Sequence, residues 1–208
     1  MPRRQPPLFD PVPDPTKLNV DACRRCELWE KATQGVTGAT TTRNPRLMLV
    51  GEQPGDEEDR QGAPFVGPAG QLLRRAIGEA GMTLEEIYLT NAVKHFYWEP
   101  RGPRRIHKTP AQRHIDACRA WLDKEIENAK PAVIVAMGST ALNGVMGGKM
   151  KVGDAREDNL KHPAGARVVA TYHPSAALRA PDETARAELF KLIVSDLRKA
   201  AKIAKSSD

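Results

Sequence analysis

Arg46-Leu47-Met48-Leu49-Val50-Gly51 is a short apolar run that stops at a glycine, the pattern of a strand buried on both faces that empties into a loop. Three segments of the same kind follow, Ile87 to Thr90, Ala132 to Ala136 and Arg167 to Thr171. Helical spacing fills the gaps between them. Pro68 sits at a first-turn position, and Leu72, Leu73, Ala76, Ile77 and Ala80 recur at helical intervals until Gly81 supplies a stop. Pro110 to Asn128 reads as a second helix with Ile115, Cys118, Ala120, Trp121 and Leu122 among its apolar positions. Ser139 is placed to cap a short helix through Val145, and Glu183 to Ile203 is a final amphipathic helix. The order βαβαβαβα predicts an α/β fold: a single-domain α/β/α sandwich around a central four-stranded parallel sheet, because parallel neighbours need helical crossovers. Ligands of such sheets bind beyond the carboxyl ends of the strands, so polar residues following each strand become the candidates. The stretch from Gly147 to Gly165 lacks periodicity and reads as a connecting loop.

With 208 residues and 40% hydrophobic content the chain can bury a full core, and its length favours one domain. Residues 1–18 carry six of the 17 prolines without apolar periodicity, which predicts an extended arm ahead of a domain at 19–208. The formal charge of +6 fits an anionic partner. No apolar run is long enough to span a bilayer, and the first residues lack the apolar stretch of a signal peptide; no membrane association and a cytoplasmic location are expected. Three cysteines cannot pair off completely. In a reducing compartment the Cys23-x-x-Cys26 spacing points instead to a metal or cluster.

Arg104-Arg105-Ile106-His107-Lys108-Thr109-Pro110 reads as a cationic, proline-bounded loop. From Pro100 to Ile115 there is no acidic residue, yet Arg101, Arg104, Arg105, Lys108 and Arg113 accompany His107 and His114. Such a run is an electrostatic footprint for phosphate, although clusters of this kind are also ordinary solvated surface. Its company elsewhere in the chain decides between the two.

Five separated motifs resemble the uracil-DNA glycosylase superfamily: Gly51 to Asp59, Gly62 to Gly70, Leu89 to Phe96, Arg104 to Pro110, and His173-Pro174-Ser175. The match spans Cys23 to Arg179, and the Arg-Arg-Ile-His-Lys-Thr-Pro loop is similar to that of the UdgX type, a relative of the family 4 iron-sulfur enzymes that bonds covalently to uracil-containing DNA. The resemblance implies uracil excision from DNA, preferably single-stranded because less pairing is lost on everting the base. Cleaving an N-glycosidic bond passes through an oxocarbenium-like sugar, which a nearby carboxylate stabilises. Glu52 is the candidate, with Gln53 assisting where family 4 enzymes typically carry alanine. Phe65 would stack on the base and Asn91 would read its imide edge, beside Gly51. His173 would bond the uracil oxygen that gains charge, with Ser175 next to it. His107 would attack C1′ and leave an N-alkylated histidine, oriented by Glu52; Arg104, Arg105 and Lys108 would hold phosphate. Taken singly, each has a plainer reading: Glu52 as a capping carboxylate, Phe65 as a core plug, Asn91 as a turn residue, Ser175 as a helix cap.

Cys23, Cys26, His95 and Cys118 form the other set. In family 4 the position after the valine-lysine pair is a cysteine; here Lys94 is followed by His95, as in the UdgX type. Resemblance favours a 4Fe-4S cluster with imidazole as the fourth ligand, while a Cys3His zinc site is equally natural from the residues alone. Two rival functions remain: an ordinary turnover glycosylase in which His107 only contacts DNA, and a non-catalytic iron-sulfur module that binds nucleic acid. A monomer is expected.

Overall fold

The computed structural model describes residues 19–206, so the proline-rich stretch read as an arm lies outside the described residues. Seven strands occur among these: β1 (Leu47–Gly51), β2 (Ile87–Asn91), β3 (Trp98–Arg101), β4 (Arg104–His107), β5 (Val133–Met137), β6 (Leu160–Lys161) and β7 (Arg167–Thr171). The main sheet has the order β2-β1-β5-β7-β6. Its first four strands are mutually parallel, as the apolar runs predicted, and β6 adds a two-residue antiparallel edge. Every residue of β1, β2 and β5 is buried, which is why these strands read as unbroken apolar runs rather than alternating ones.

Seven α-helices accompany the strands: α1 (Asp56–Gln61), α2 (Pro68–Glu79), α3 (Gln112–Ala129), α4 (Ser139–Met146), α5 (Val152–Ala155), α6 (Pro174–Leu178) and α7 (Glu183–Lys205). Alternate strand residues point to opposite faces. Leu47, Leu49, Ile87, Leu89, Val133 and Val135 pack against Leu73 and Ile77 of α2 and Phe190, Ile193 and Leu197 of α7. Met48, Val50, Ile134, Ala136 and Val168 pack against Leu122 and Ile126 of α3 and Leu142 and Val145 of α4. Each large aliphatic side chain so buried contributes roughly 1.5–3 kcal/mol, and the two clusters make the α/β/α sandwich.

Three local readings differ from the sequence pattern. Arg104 to His107 is not a loop but the second strand of an antiparallel hairpin, with Trp98 opposite His107 and Arg101 opposite Arg104. The residues from Gly147 to Gly165, read as a connecting loop, contain α5 and β6. Gly138, not Ser139, caps α4: its φ of 90° lies in the left-handed region that favours glycine, and its N–H donates to Thr171 O, tying the end of β5 to that of β7.

An ion pair sits inside the molecule near the end of β2. Lys94 is fully buried and its ammonium donates to Thr90 Oγ1 at 2.8 Å, Asn91 O at 2.7 Å and Glu125 Oε2 at 2.7 Å. The second oxygen of Glu125 accepts the Gly38 N–H at 2.9 Å. All three ammonium donors are thus used, the condition under which a buried pair is tolerated. Lys94→Met leaves the Glu125 carboxylate without its cation and should cost about 3–5 kcal/mol. Chemical unfolding checks this: the midpoint should fall sharply in the single variant and recover in part when Glu125→Met is added.

Candidate active site

The site forms at the carboxyl edge of the sheet, where β1 and β2 end in register at Gly51 and Asn91. A Cβ on Gly51 would stand 2.4 Å from Asn91 Oδ1 and 2.6 Å from Phe65 Cζ. Glycine alone therefore lets the Asn91 amide and the Phe65 ring meet at the end of the strand. Phe65 is buried and adopts φ 56°, a left-handed conformation rarely taken by a phenylalanine. The chain presses on it from behind, since a Cβ on Gly70 would lie 1.8 Å from Phe65 O. The ring of His173 faces that of Phe65, with centroids 6.3 Å apart and 28° between planes.

His173 follows β7 and caps α6. Its Nδ1 accepts the Ser175 main-chain N–H at 3.1 Å and lies 2.7 Å from Ser175 Oγ. An Nδ1 that accepts is unprotonated, so the neutral ring carries its hydrogen on Nε2 as a donor. Burial, with Arg179 and His107 adding to it, drives the imidazole down to about 4, and the ring is neutral at physiological pH. Ser175 serves here by fixing the tautomer of His173.

Glu52 follows Gly51 and divides its two oxygens. Oε2 accepts a hydrogen bond from Thr140 Oγ1 at 2.6 Å, and Oε1 lies 3.3 Å from His107 Nε2. Thr140 is in the first turn of α4, where the helix N-terminus favours negative charge. This residue was not singled out from sequence. The signal was present: a hydroxyl just past the end of β5 obeys the same strand-end rule that points to Glu52, Asn91 and His173. His107 is lowered below the ordinary imidazole value because burial outweighs the attraction of Glu52; Arg179 depresses it further, and Glu58 partly opposes this.

Side chains alternate along β4, so Arg105 and His107 share the inward face. Arg105 contacts Asp56, donates to Asp59 Oδ2 at 2.6 Å and Thr33 Oγ1 at 3.2 Å, and lies over the rings of Phe96 and Trp98. Its charge is engaged inside the protein, where the sequence reading had it holding phosphate. Gln53 also departs from expectation: its amide nitrogen donates to Tyr97 O and Lys108 O while its oxygen accepts the Tyr97 N–H. It is buried at the base of the hairpin rather than open to the pocket. Lys108 pairs at the surface with Glu99 at 3.0 Å, and Arg104 is exposed.

The cysteines lie away from this pocket. Cys118 in α3 is pushed up to about 11, first by burial, and Cys26 is raised by burial; each also feels neighbouring cysteines, which places the three in one region. Their sulfurs receive N–H donors, from the Trp121 indole to Cys23 at 3.2 Å and from the main chain of Lys94 and Leu28 to Cys118 and Cys26. Such donors suit thiolate ligands, whose protons a bound cation would displace. His95 is buried, and its charged neighbours are Asp21, Asp59 and Arg24. Among the described residues no three His, Cys, Asp or Glu side chains converge to hold a metal ion.

Residues 38–198 match the family described as the uracil DNA glycosylase superfamily. The chain belongs to the uracil-DNA glycosylase superfamily. It is 36% identical over 182 residues to a type-4 uracil-DNA glycosylase of Thermotoga maritima, covering 87% of this chain and 88% of that one. It is 33% identical over 202 residues to the type-4 enzyme of Sulfurisphaera tokodaii, covering 90% and 83%, and 34% identical over 188 residues to that of Saccharolobus solfataricus, covering 86% and 81%. No helix of the described residues is long and apolar enough to cross a membrane.

If the space beside Gly51 is the floor of a base pocket, a methyl group there should close it. Gly51→Ala should keep the fold, as judged by circular dichroism and melting temperature, but reduce uracil release from DNA by about 100-fold or more, since roughly 3 kcal/mol is the scale of a misplaced recognition group. Activity within a few-fold of wild type would show that the floor lies elsewhere.

Proposed function

We propose that this superfamily member excises uracil from DNA and becomes covalently bonded through His107 to C1′ of the resulting site. The observation that carries the reading is Glu52 shared between Thr140 and His107 at the strand edge that also holds Phe65, Asn91 and His173. An everted uracil would lie against Phe65 with its imide edge toward the Asn91 amide. The C1′–N1 bond breaks with its electron pair passing to the base, where the Nε2–H of His173 bonds the oxygen that gains charge. Glu52 stabilises the cationic sugar. A neutral His107, its proton held toward Glu52, keeps a lone pair on the other ring nitrogen; attack on C1′ forms the C–N bond, and the ring then releases that proton. The adduct has no leaving group comparable to uracilate, so it persists. Arg104 would face phosphate, with Lys108 beside it, and single-stranded DNA is the easier substrate.

We further assign a 4Fe-4S cluster to Cys23, Cys26, Cys118 and His95, supported by the shared region of the three cysteines, their N–H donors and the likeness to family 4. The cluster would staple the loop carrying Cys23 and Cys26 to α3, leaving the reaction to the pocket residues. Visible absorbance with matching iron and sulfide content should accompany purified protein; stoichiometric zinc without colour would overturn the assignment.

Mixing the protein with uracil- and thymine-containing oligonucleotides, then running a denaturing gel, should give a shifted band with uracil alone. His107→Ala should abolish that band. Free abasic DNA without any band from the wild type would mark a turnover enzyme, and neither uracil release nor adduct would mark a non-catalytic module. The unprotonated form of His107 is the reactive one and its protonation is shifted below about 6.5. The midpoint of the decline in band formation with falling pH should therefore lie below about 6.5; a midpoint above that value would contradict the neutral-nucleophile step.

A further inference from the structure

Glu58 takes no part in the scheme above, yet it occupies a singular position. It is a buried carboxylate whose Oε1 accepts the Gly67 N–H at 2.8 Å and whose Oε2 accepts the Gly55 N–H at 3.1 Å. Gly55 closes the loop that begins at Glu52 and caps α1; Gly67 closes the loop that carries Phe65 and caps α2. Neither glycine has a side chain to cap its own helix, and both leave room for this one, Gly55 more tightly than Gly67. A Cβ would stand 2.6 Å from Glu58 Oε2 at Gly55 and 3.2 Å from Oε1 at Gly67.

Phe65 holds a left-handed backbone conformation that is strained for a residue with a Cβ. Such a conformation persists only where surrounding contacts over-determine it. Two are visible: the close approach of Gly70 behind Phe65 O, and the anchoring of Gly67 two residues ahead by Glu58. We propose that Glu58 is a positioning residue that fixes the Phe65 ring relative to Glu52 by bonding both pocket loops, so that base recognition depends on its two oxygens. The inference rests on the uracil reading above and deepens it.

Glu58→Gln keeps the shape but retains a single acceptor, so one loop N–H faces an amide NH2. The probe is free uracil, added as a competitor to uracil release from a single-stranded oligonucleotide by the full-length chain. The inhibition constant for uracil should rise roughly tenfold in Glu58→Gln, the scale of one charge-assisted hydrogen bond. Affinity for a thymine-containing oligonucleotide should change by less than about twofold, because phosphate contacts are untouched. In a Phe65→Ala background the same change should alter the inhibition constant by less than about twofold, since a residue acting through the ring has nothing left to position. Gly67→Ala, milder and compatible with folding, should raise the constant in the same direction. An unchanged constant, or a tenfold rise in both backgrounds, overturns the positioning role. Failure of uracil to compete against the wild type would instead defeat the uracil reading itself, and this inference with it.

Discussion

The grip of Asp56 and Asp59 on the Arg105 guanidinium is the constraint on which the candidate site depends. A two-stranded hairpin has little stability of its own, and β3 and β4 present mostly exposed side chains. Polar contacts hold it down: Arg105 to α1, Gln53 to both ends of its base, and the Trp98 indole to Lys31 O. Asp59 is fully buried and also accepts the Thr33 N–H, so its partner cation cannot swing out to solvent without stranding a carboxylate. Once Arg105 is fixed inward, strand alternation puts His107, two residues on, on the same face and toward Glu52. The position of the His107 imidazole is thus set by a residue two positions earlier on the same strand.

Much of this was legible in the chain. Apolar runs such as Leu47 to Val50 located the four parallel strands because a strand buried on both faces has to be apolar throughout. The resemblance to the glycosylases picked out Glu52, Asn91 and His173, each at or just past a strand end, and the fold brings those strand ends to one edge of the sheet. What stayed hidden were pairings over long sequence distances. Arg105 and Lys108 both read as free cations from a stretch without acids, but their carboxylates lie far back at Asp56 and Asp59, or across the hairpin at Glu99. Charge density along a sequence reports residues near in the chain, not residues near in space. Gln53 misled for the same reason: a glutamine beside a candidate carboxylate looks like an assistant until its amide is seen satisfied by Tyr97 and Lys108.

The two site histidines show how one pocket keeps imidazoles neutral for different tasks. Burial and Arg179 depress both. At His107 the carboxylates of Glu52 and Glu58 push back; the principal influences on His173 include neither, and it falls to about 4. His173 is consequently a neutral donor with its tautomer fixed by Ser175, across the range in which DNA remains intact. His107 is also lowered, with the attraction of the two carboxylates working against burial. Arg179 depresses both rings from an exposed position just beyond α6, so a single cation serves the strand-end pocket and the hairpin together.

An acidic helix beside a pocket meant for a polyanion looks self-defeating, and α1 opens with Asp56, Glu57, Glu58 and Asp59. The structure resolves the conflict by consuming the charge. Glu58 and Asp59 are buried, Asp59 against Arg105 and Glu58 against the two loop amides, while Asp56 is shared between Arg105 and Arg60. Of the four carboxylates only Glu57 lies on the open surface, with the Gln61 amide as its partner, and Arg101 and Arg104 remain exposed at the tip of the hairpin. The same residues therefore perform two jobs that a neutral helix could not: they anchor the hairpin and pocket loops through charge-assisted bonds, and they do so with charges spent before substrate arrives. Replacing Asp59 by an uncharged group would free the Arg105 cation, but only at the expense of the geometry that brings His107 to Glu52.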